Sequence, residues 1–168
     1  RFFLVDCRPA DQYNAGHVST AFHLDCNLML QAGDVYKTAV QGLLSAQQQA
    51  LDAGSTAGGE HLVFMGSGRL DQDQYTHMVV ASFLRDSARY VSILNGGYHA
   101  LHDYFGESID MSLADHNSVA CQVCLENDAN TEKISLQSAV GNANGVQSPS
   151  RDIFWKNWCC GKIKVSRS

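Results

Sequence analysis

The chain has 168 residues, a net charge of −5 and 45% hydrophobic residues, enough for one domain with a substantial core. The acidic balance argues against general nucleic-acid binding, and no apolar stretch approaches the ~20 residues that span a bilayer. Nothing resembles a signal peptide, and the six scattered cysteines (Cys7, Cys26, Cys121, Cys124, Cys159, Cys160) read as free thiols rather than a disulfide framework.

In chain order, Arg1 opens directly into an apolar run, so the sequence reads as a piece of something longer. Phe2 to Val5 is continuously apolar, which suits a strand buried on both faces. Pro9 stops it and stands near the first turn of a short helix over Ala10 to Asn14, with Gly16 as its left-handed cap. Ala21 to Leu24 reads as a second strand. A two-part helical stretch follows, Asn27 to Gln31 and then Asp34 to Leu51, broken at Gly33; Val35, Ala39, Leu43, Leu44 and Leu51 fall on roughly one face of the longer part. Gly54 to Gly59 is a loop, Leu62 to Met65 a third strand, and Gln72 to Arg85 an amphipathic helix with Asp71 placed to cap it. Tyr90 to Leu94 is a fourth strand, and Asn95-Gly96-Gly97 turns into a last helix over Tyr98 to Tyr104. Strands alternating with helices through short connections predict an α/β fold, a mostly parallel sheet with helices on both faces.

From about Gly106 the composition shifts. Residues 111–150 are rich in Ser, Asn, Gln, Gly and Ala, and read as a polar, disordered linker after a domain at 1–110. Residues 151–168 form an aromatic-basic tail. Arg151, Lys156, Lys162, Lys164 and Arg167 stand against Asp152, a local +4, and both tryptophans of the chain, Trp155 and Trp158, lie there. Three residues apart, they share a helical face, which fits a groove on a partner, a weak contact with an anionic membrane surface, or packing back on the domain.

The stretch that carries chemistry is His61 to Leu70, HLVFMGSGRL. A strand, a glycine-rich turn and a helix N-terminus make a nest of N–H groups that favours an anion. A nucleophile usually stands at the start of such a turn, and here that position is Met65. Ligand sites in parallel sheets lie at the carboxyl ends of strands, where Asp6-Cys7-Arg8, Met65 to Arg69 and Asn95-Gly96-Gly97 converge.

Those residues bear a resemblance. Leu4-Val5-Asp6-Cys7-Arg8, then Tyr13, Gly16-His17-Val18 and Ala21, resemble the first signature of the rhodanese-like domain. Met65 to Leu70 is similar to its active-site loop, and Gly96-Gly97 to its Gly-Gly turn. The resemblance covers about residues 1 to 105. It implies a rhodanese-like sheet lacking the family's first strand, which leaves one sheet edge bare. Against the loop pattern Cys-x-x-Gly-x-Arg, Gly68 fits, Met65 replaces the nucleophile and Leu70 the arginine; Leu101 stands where many members carry tryptophan. The sequence also closely resembles the rhodanese domains of TBC-domain-family adaptors. This implies an inactive scaffold or interaction domain in endosome-to-Golgi vesicle tethering at the trans-Golgi network. Golgins and the WASH complex would be engaged by regions outside this chain.

A rhodanese needs a thiolate at the loop base, and the thioether of Met65 cannot attack. The degenerate loop is thus Met65, Gly66, Ser67, Gly68, Arg69 and Leu70, supported by Asp6, Arg8, His17, Gly96 and Gly97, with no catalytic residue and no cofactor. Asp6 and Arg8 pair or hold loop amides, and the His17 imidazole ties the loop after the first helix to the sheet. Two alternatives stand beside this reading. One is a sulfurtransferase or related thiol enzyme using Cys7 or another thiol. The other is a phosphate or acidic-peptide module in the empty loop, with Arg8 and Arg69 favouring an anion and Asp71 and Asp73 opposing it. Cys121-x-x-Cys124 with His116, and Cys159-Cys160, have partial zinc spacing. Without a well-spaced second pair they read as plain thiols, Cys159-Cys160 with palmitoylation as the alternative, and no metal is expected. The other histidines read as scattered, with no Ser or Cys partner.

Overall fold

The computed structural model describes residues 1–86 and 90–138. Its elements run β1 (Phe2–Asp6), α1 (Ala10–Asn14), β2 (Phe22–His23), α2 (Leu28–Gln31), α3 (Gly33–Asp52), β3 (His61–Met65), α4 (Gln74–Arg85), β4 (Val91–Ile93), α5 (Gly97–Phe105), a 3-10 turn at Gly106–Ser108, α6 (Ile109–Ser112) and α7 (Gln122–Ser138). The four described strands form one parallel sheet in the order β2-β1-β3-β4, with Asp6 opposite Met65 and Phe64 opposite Ile93. Helix–strand alternation enforces this parallel topology.

Because successive side chains of a strand point to opposite faces, β1 and β3 feed two cores. Phe3, Val5, Leu62 and Phe64 join Leu24, Leu43, Val79, Val80 and Phe83 on one face. Val63 and Met65, with Leu4 at the margin, join Leu94, Tyr98, Leu113, Cys121 and Val123 on the other. Apolar residues without interruption in β3 are thus the signature of a strand covered on both sides.

The compact unit Arg1–Ala129 holds all of this; a second begins at Asn130, and its described part is the end of α7. The linker expected over 111–150 is therefore corrected as far as Ser138. Ala114 forms a short antiparallel bridge with His17, through Ala114 N–H to the His17 carbonyl at 2.7 Å and the reverse bond at 3.0 Å. Asn117 donates its N–H to the Ala15 carbonyl at 3.1 Å and receives the Cys121 N–H at 2.7 Å, starting α7. Leu113, Cys121 and Val123 are buried. This stretch is poor in large apolar residues, but the few it has fall where the second core needs a cover. Residues 139–150 and the 151–168 tail, with Trp155, Trp158, Cys159 and Cys160, lie outside the described residues. No helix among the described residues is long and apolar enough to cross a membrane.

Candidate functional site

The carboxyl ends of β1 and β3 lie side by side, and the loop after β3 wraps over them. Asp6 and Arg8, two residues apart at the end of β1, are both buried. The guanidinium grips Asp6 in fork geometry, Nε to Oδ1 at 2.9 Å and Nη2 to Oδ2 at 2.6 Å. Arg8 further donates to the carbonyls of Gly16 at 2.8 Å and Gln12 at 3.3 Å, and its guanidinium lies 3.5 Å from the centre of the Tyr98 ring. A charge at this depth persists only because it is paired and its donors are used. Arg8 is consequently a clamp between β1, the end of α1 and α5. It offers no free cation to an anion.

His17 serves differently from the expectation. Its Nδ1 lies 3.2 Å from the Tyr13 carbonyl, its ring stacks on Tyr13 at 4.0 Å, and its backbone pairs with Ala114 rather than with the sheet. The residue that reaches the strand-end loop is His23, whose Nε2 lies 2.9 Å from the Arg8 carbonyl; it stacks on the opposite side of Tyr13 at 4.1 Å.

The loop is held from two directions. Gly96 and Gly97 both have positive φ, 74° and 51°, and turn the chain so that the Tyr98 N–H reaches the Gly66 carbonyl at 2.9 Å and the His99 N–H the Ser67 carbonyl at 3.0 Å. The approach is so close that a Cβ on Gly68, itself at φ +97°, would run into the Gly96 carbonyl. Glycine is needed at these positions for both reasons. From the other direction comes Asp73. Its Oδ1 accepts the Ser67 N–H at 2.7 Å and the Ser67 hydroxyl at 2.9 Å, and its Oδ2 accepts the Gly68 N–H at 2.8 Å. The amide nest thus has a resident carboxylate from within the chain. This accounts for the corrected start of the helix: α4 begins at Gln74 rather than Gln72, with Asp73 rather than Asp71 at its N-cap position, and the Asp73 side chain bonds no N–H of its own helix. The side chain is committed to the loop, while the Gln72 and Asp73 N–H groups close a turn on the Arg69 carbonyl at 3.1 and 2.9 Å.

Met65 ends β3 fully buried. Its side chain belongs to the second core, among Tyr98, Leu113 and Val123, not to the cradle. Arg69 forms an ion pair with Glu126 of α7, and Leu70 projects into solvent, 86% exposed. Between Arg8, Ser67, Arg69, Tyr98, Cys121 and Val123 only about 20 Å³ of space is left, room for about one water molecule. A cleft of about 360 Å³ also borders the loop and is lined by Cys7, Pro9, Gln12, Asn27, Asp73 and Tyr75 among others.

Cys7 touches that cleft but is 3% exposed. Burial pushes its thiol well up, and the neighbouring Cys26, then Asp6 and Asp73, push it further the same way. This disfavours the thiolate that attack would require. Cys124 is also raised, to about 11, chiefly by burial and then by Cys121. Burial alone would raise Cys121 too, but hydrogen bonds from the Cys124 N–H, His116, Tyr98 and the Val123 N–H outweigh it and lower the thiol.

Sequence reasoning missed two features. The filling of the nest by Asp73 had a signal in the acidic residue placed just before the helix, read as opposing an anion when it replaces one. The joining of His102 to His116, Cys121 and Cys124 had its signal in the Cys-x-x-Cys pair with His116; the fourth member stands apart, in α5. The histidines are accordingly not all without a cysteine partner: the His102 Nε2 lies 3.2 Å from the Cys124 sulfur.

A parallel sheet with helices on both faces, a glycine-rich loop at the end of its third described strand and a Gly-Gly turn buttressing that loop agree with the sequence comparison. The model of the Rhodanese-like domain family matches residues 1–103, well over half of the chain, and the chain belongs to that family.

Proposed function

We propose that this rhodanese-like domain is a catalytically silent scaffold or interaction module. The carrying observation is the composition of the loop base: a buried thioether, Met65, where the family's chemistry needs a thiolate. The Asp73 carboxylate on the loop amides supports the same reading, because a transferred sulfur or an oxyanion would need those donors. The burial of Cys7 counts against its use as a substitute nucleophile, and Asp73 counts against a phosphate or acidic-peptide site in the loop.

At a finer level, the strings from Val5 to His17, from Ser19 to Leu24 and from Phe64 to Arg69 closely resemble the rhodanese domain of TBC1 domain family member 23, an adaptor for capture of endosome-derived vesicles at the trans-Golgi network. On this proposal the chain works on the cytoplasmic face of the trans-Golgi network and of those vesicles. Golgins and the WASH complex are engaged by regions of the full protein outside these residues. Trp155 and Trp158 supply at most a weak contact with a membrane surface.

The decisive assay is thiosulfate:cyanide sulfurtransfer by the purified chain. The expected rate equals that of a no-protein control. Turnover that disappears in Cys7→Ser would overturn the proposal. Met65→Cys is expected to restore little or no turnover, since Leu70 stands at the loop's arginine position and Asp73 still occupies the amides.

A further inference from the structure

We infer that His102, His116, Cys121 and Cys124 bind a zinc ion in a closed, four-ligand structural site that fastens the start of α7 to α5. The four donor atoms lie within 4.8 Å of one another. Tetrahedral zinc with Zn–S of ~2.3 Å and Zn–N of ~2.0–2.1 Å places its ligand atoms roughly 3.3–3.8 Å apart. Two of the observed separations already approach this range: His102 Nε2 to the Cys124 sulfur at 3.2 Å and His116 Nε2 to the same sulfur at 3.6 Å. The remaining separations, none above 4.8 Å, exceed this range by about 1 Å at most.

The surroundings suit a metal. The other ring nitrogen of His116, Nδ1, lies 2.6 Å from the Asp110 carboxylate, an arrangement that fixes the tautomer and turns Nε2 toward the ligand cluster. The His116 side chain is 2% exposed although Asp110 is 81% exposed, so the imidazole faces inward. Cys121 and Cys124 flank the first turn of α7, where N–H groups and the helix dipole favour thiolates. Leu113, Val123 and Tyr98 wall the site off in the second core.

The donor chemistry selects the ion. Two thiolates and two neutral imidazoles carry −2, which one divalent cation cancels, the two thiol protons leaving to solvent. A mixed sulfur–nitrogen set in tetrahedral disposition favours zinc over magnesium, calcium or manganese, which take oxygen ligands. Four protein ligands leave no open position for a substrate, so the role is structural. What the site would fasten is a stretch with few buried apolar residues. From Leu113 to Val123 only Leu113, Cys121 and Val123 are buried apolar residues, yet this segment closes the second core over Met65.

Metal analysis of the whole chain, purified without an affinity tag or chelator, tests the inference. About one zinc per chain is expected, and an X-ray absorption spectrum at the zinc edge should give two sulfur and two nitrogen ligands. That measurement needs no variant. Replacement with Co²⁺ should give the visible bands of a tetrahedral ion and a thiolate-to-cobalt absorption. The band should be weakened in Cys124→Ser and unchanged in Cys26→Ser. Asp110→Asn leaves all four ligands in place and should weaken zinc affinity about tenfold to hundredfold. A folded chain that carries no zinc and takes up none when Zn²⁺ is added would overturn the site. So would a ligand count other than two sulfur and two nitrogen, or a cobalt band that Cys124→Ser leaves untouched.

Discussion

At the scale of single residues, the loop after β3 is defined as much by Asp73 as by Met65. One carboxylate satisfies the N–H groups of Ser67 and Gly68 and the Ser67 hydroxyl. Removing it leaves these donors without partners in a largely enclosed loop, at a cost of about 1–3 kcal/mol. Asp73→Ala should therefore lower the urea midpoint. It should also do what a merely structural residue would not, by opening the nest: sulfate should raise the melting temperature of Asp73→Ala and leave that of the wild-type chain nearly unchanged. Equal sulfate responses would show that the carboxylate does not occupy the anion position. The Asp6–Arg8 pair, in contrast, was legible as a structural pair from sequence, because a carboxylate and an arginine two apart at a strand end reach the same loop. What the sequence could not show is that Tyr98, far along the chain, closes over the guanidinium and completes its burial.

At the scale of elements, apolar continuity made the strands legible, and the order of the motifs placed them at one end of a parallel sheet. The small errors have local causes. β2 shortens to Phe22–His23 because only Val5 and Asp6 pair with it, and α4 starts late because Asp73 is spent on the loop. The long helix over Gly33–Asp52 was read nearly in full, with Ala32 rather than Gly33 separating it from α2. The bare edge is the more consequential expectation. Among the described residues β4 has a strand neighbour on one side only. The Tyr90 carbonyl accepts from the Leu62 N–H at 2.9 Å and the Leu94 N–H donates to the Phe64 carbonyl at 2.8 Å. By the alternation of a parallel ladder, the N–H and C=O groups of Val91 and Ile93 therefore face away from β3. Such an edge invites pairing with another chain, and proline is a natural device for blocking it. Sedimentation velocity over a concentration series should show the wild-type chain self-associating and Val91→Pro doing so less, with little loss of melting temperature. If both sediment as monomers throughout, the edge is covered within the chain.

At the scale of the whole molecule, the compact unit runs to Ala129, well past the end of the family match at residue 103. The sequence hid this extension because α7 carries no apolar stripe. Its contribution comes from its first turn, where Val123 and the two cysteines meet the core, and from Leu113 ahead of it. The sequence shows His116 beside those cysteines but hides His102, which stands apart in α5. If residues beyond 110 were a loose linker, a chain ending at Asp110 would be as stable as one ending at Ser138. The structure requires otherwise. Leu113, Cys121 and Val123 cover Met65 and Tyr98, which are 0% and 3% exposed. Each large side chain returned to water costs about 1.5–3 kcal/mol, and a domain of this size has only about 5–15 kcal/mol to lose. Loss of Leu113 and Val123 alone should cost several kcal/mol, on the order of 3–6. Urea unfolding of the two chains, both with a chelator present so that apolar packing alone is compared, should place the shorter one at a clearly lower midpoint. Coincident curves would mean that the segment from 111 to 129 lies on the domain without stabilising it.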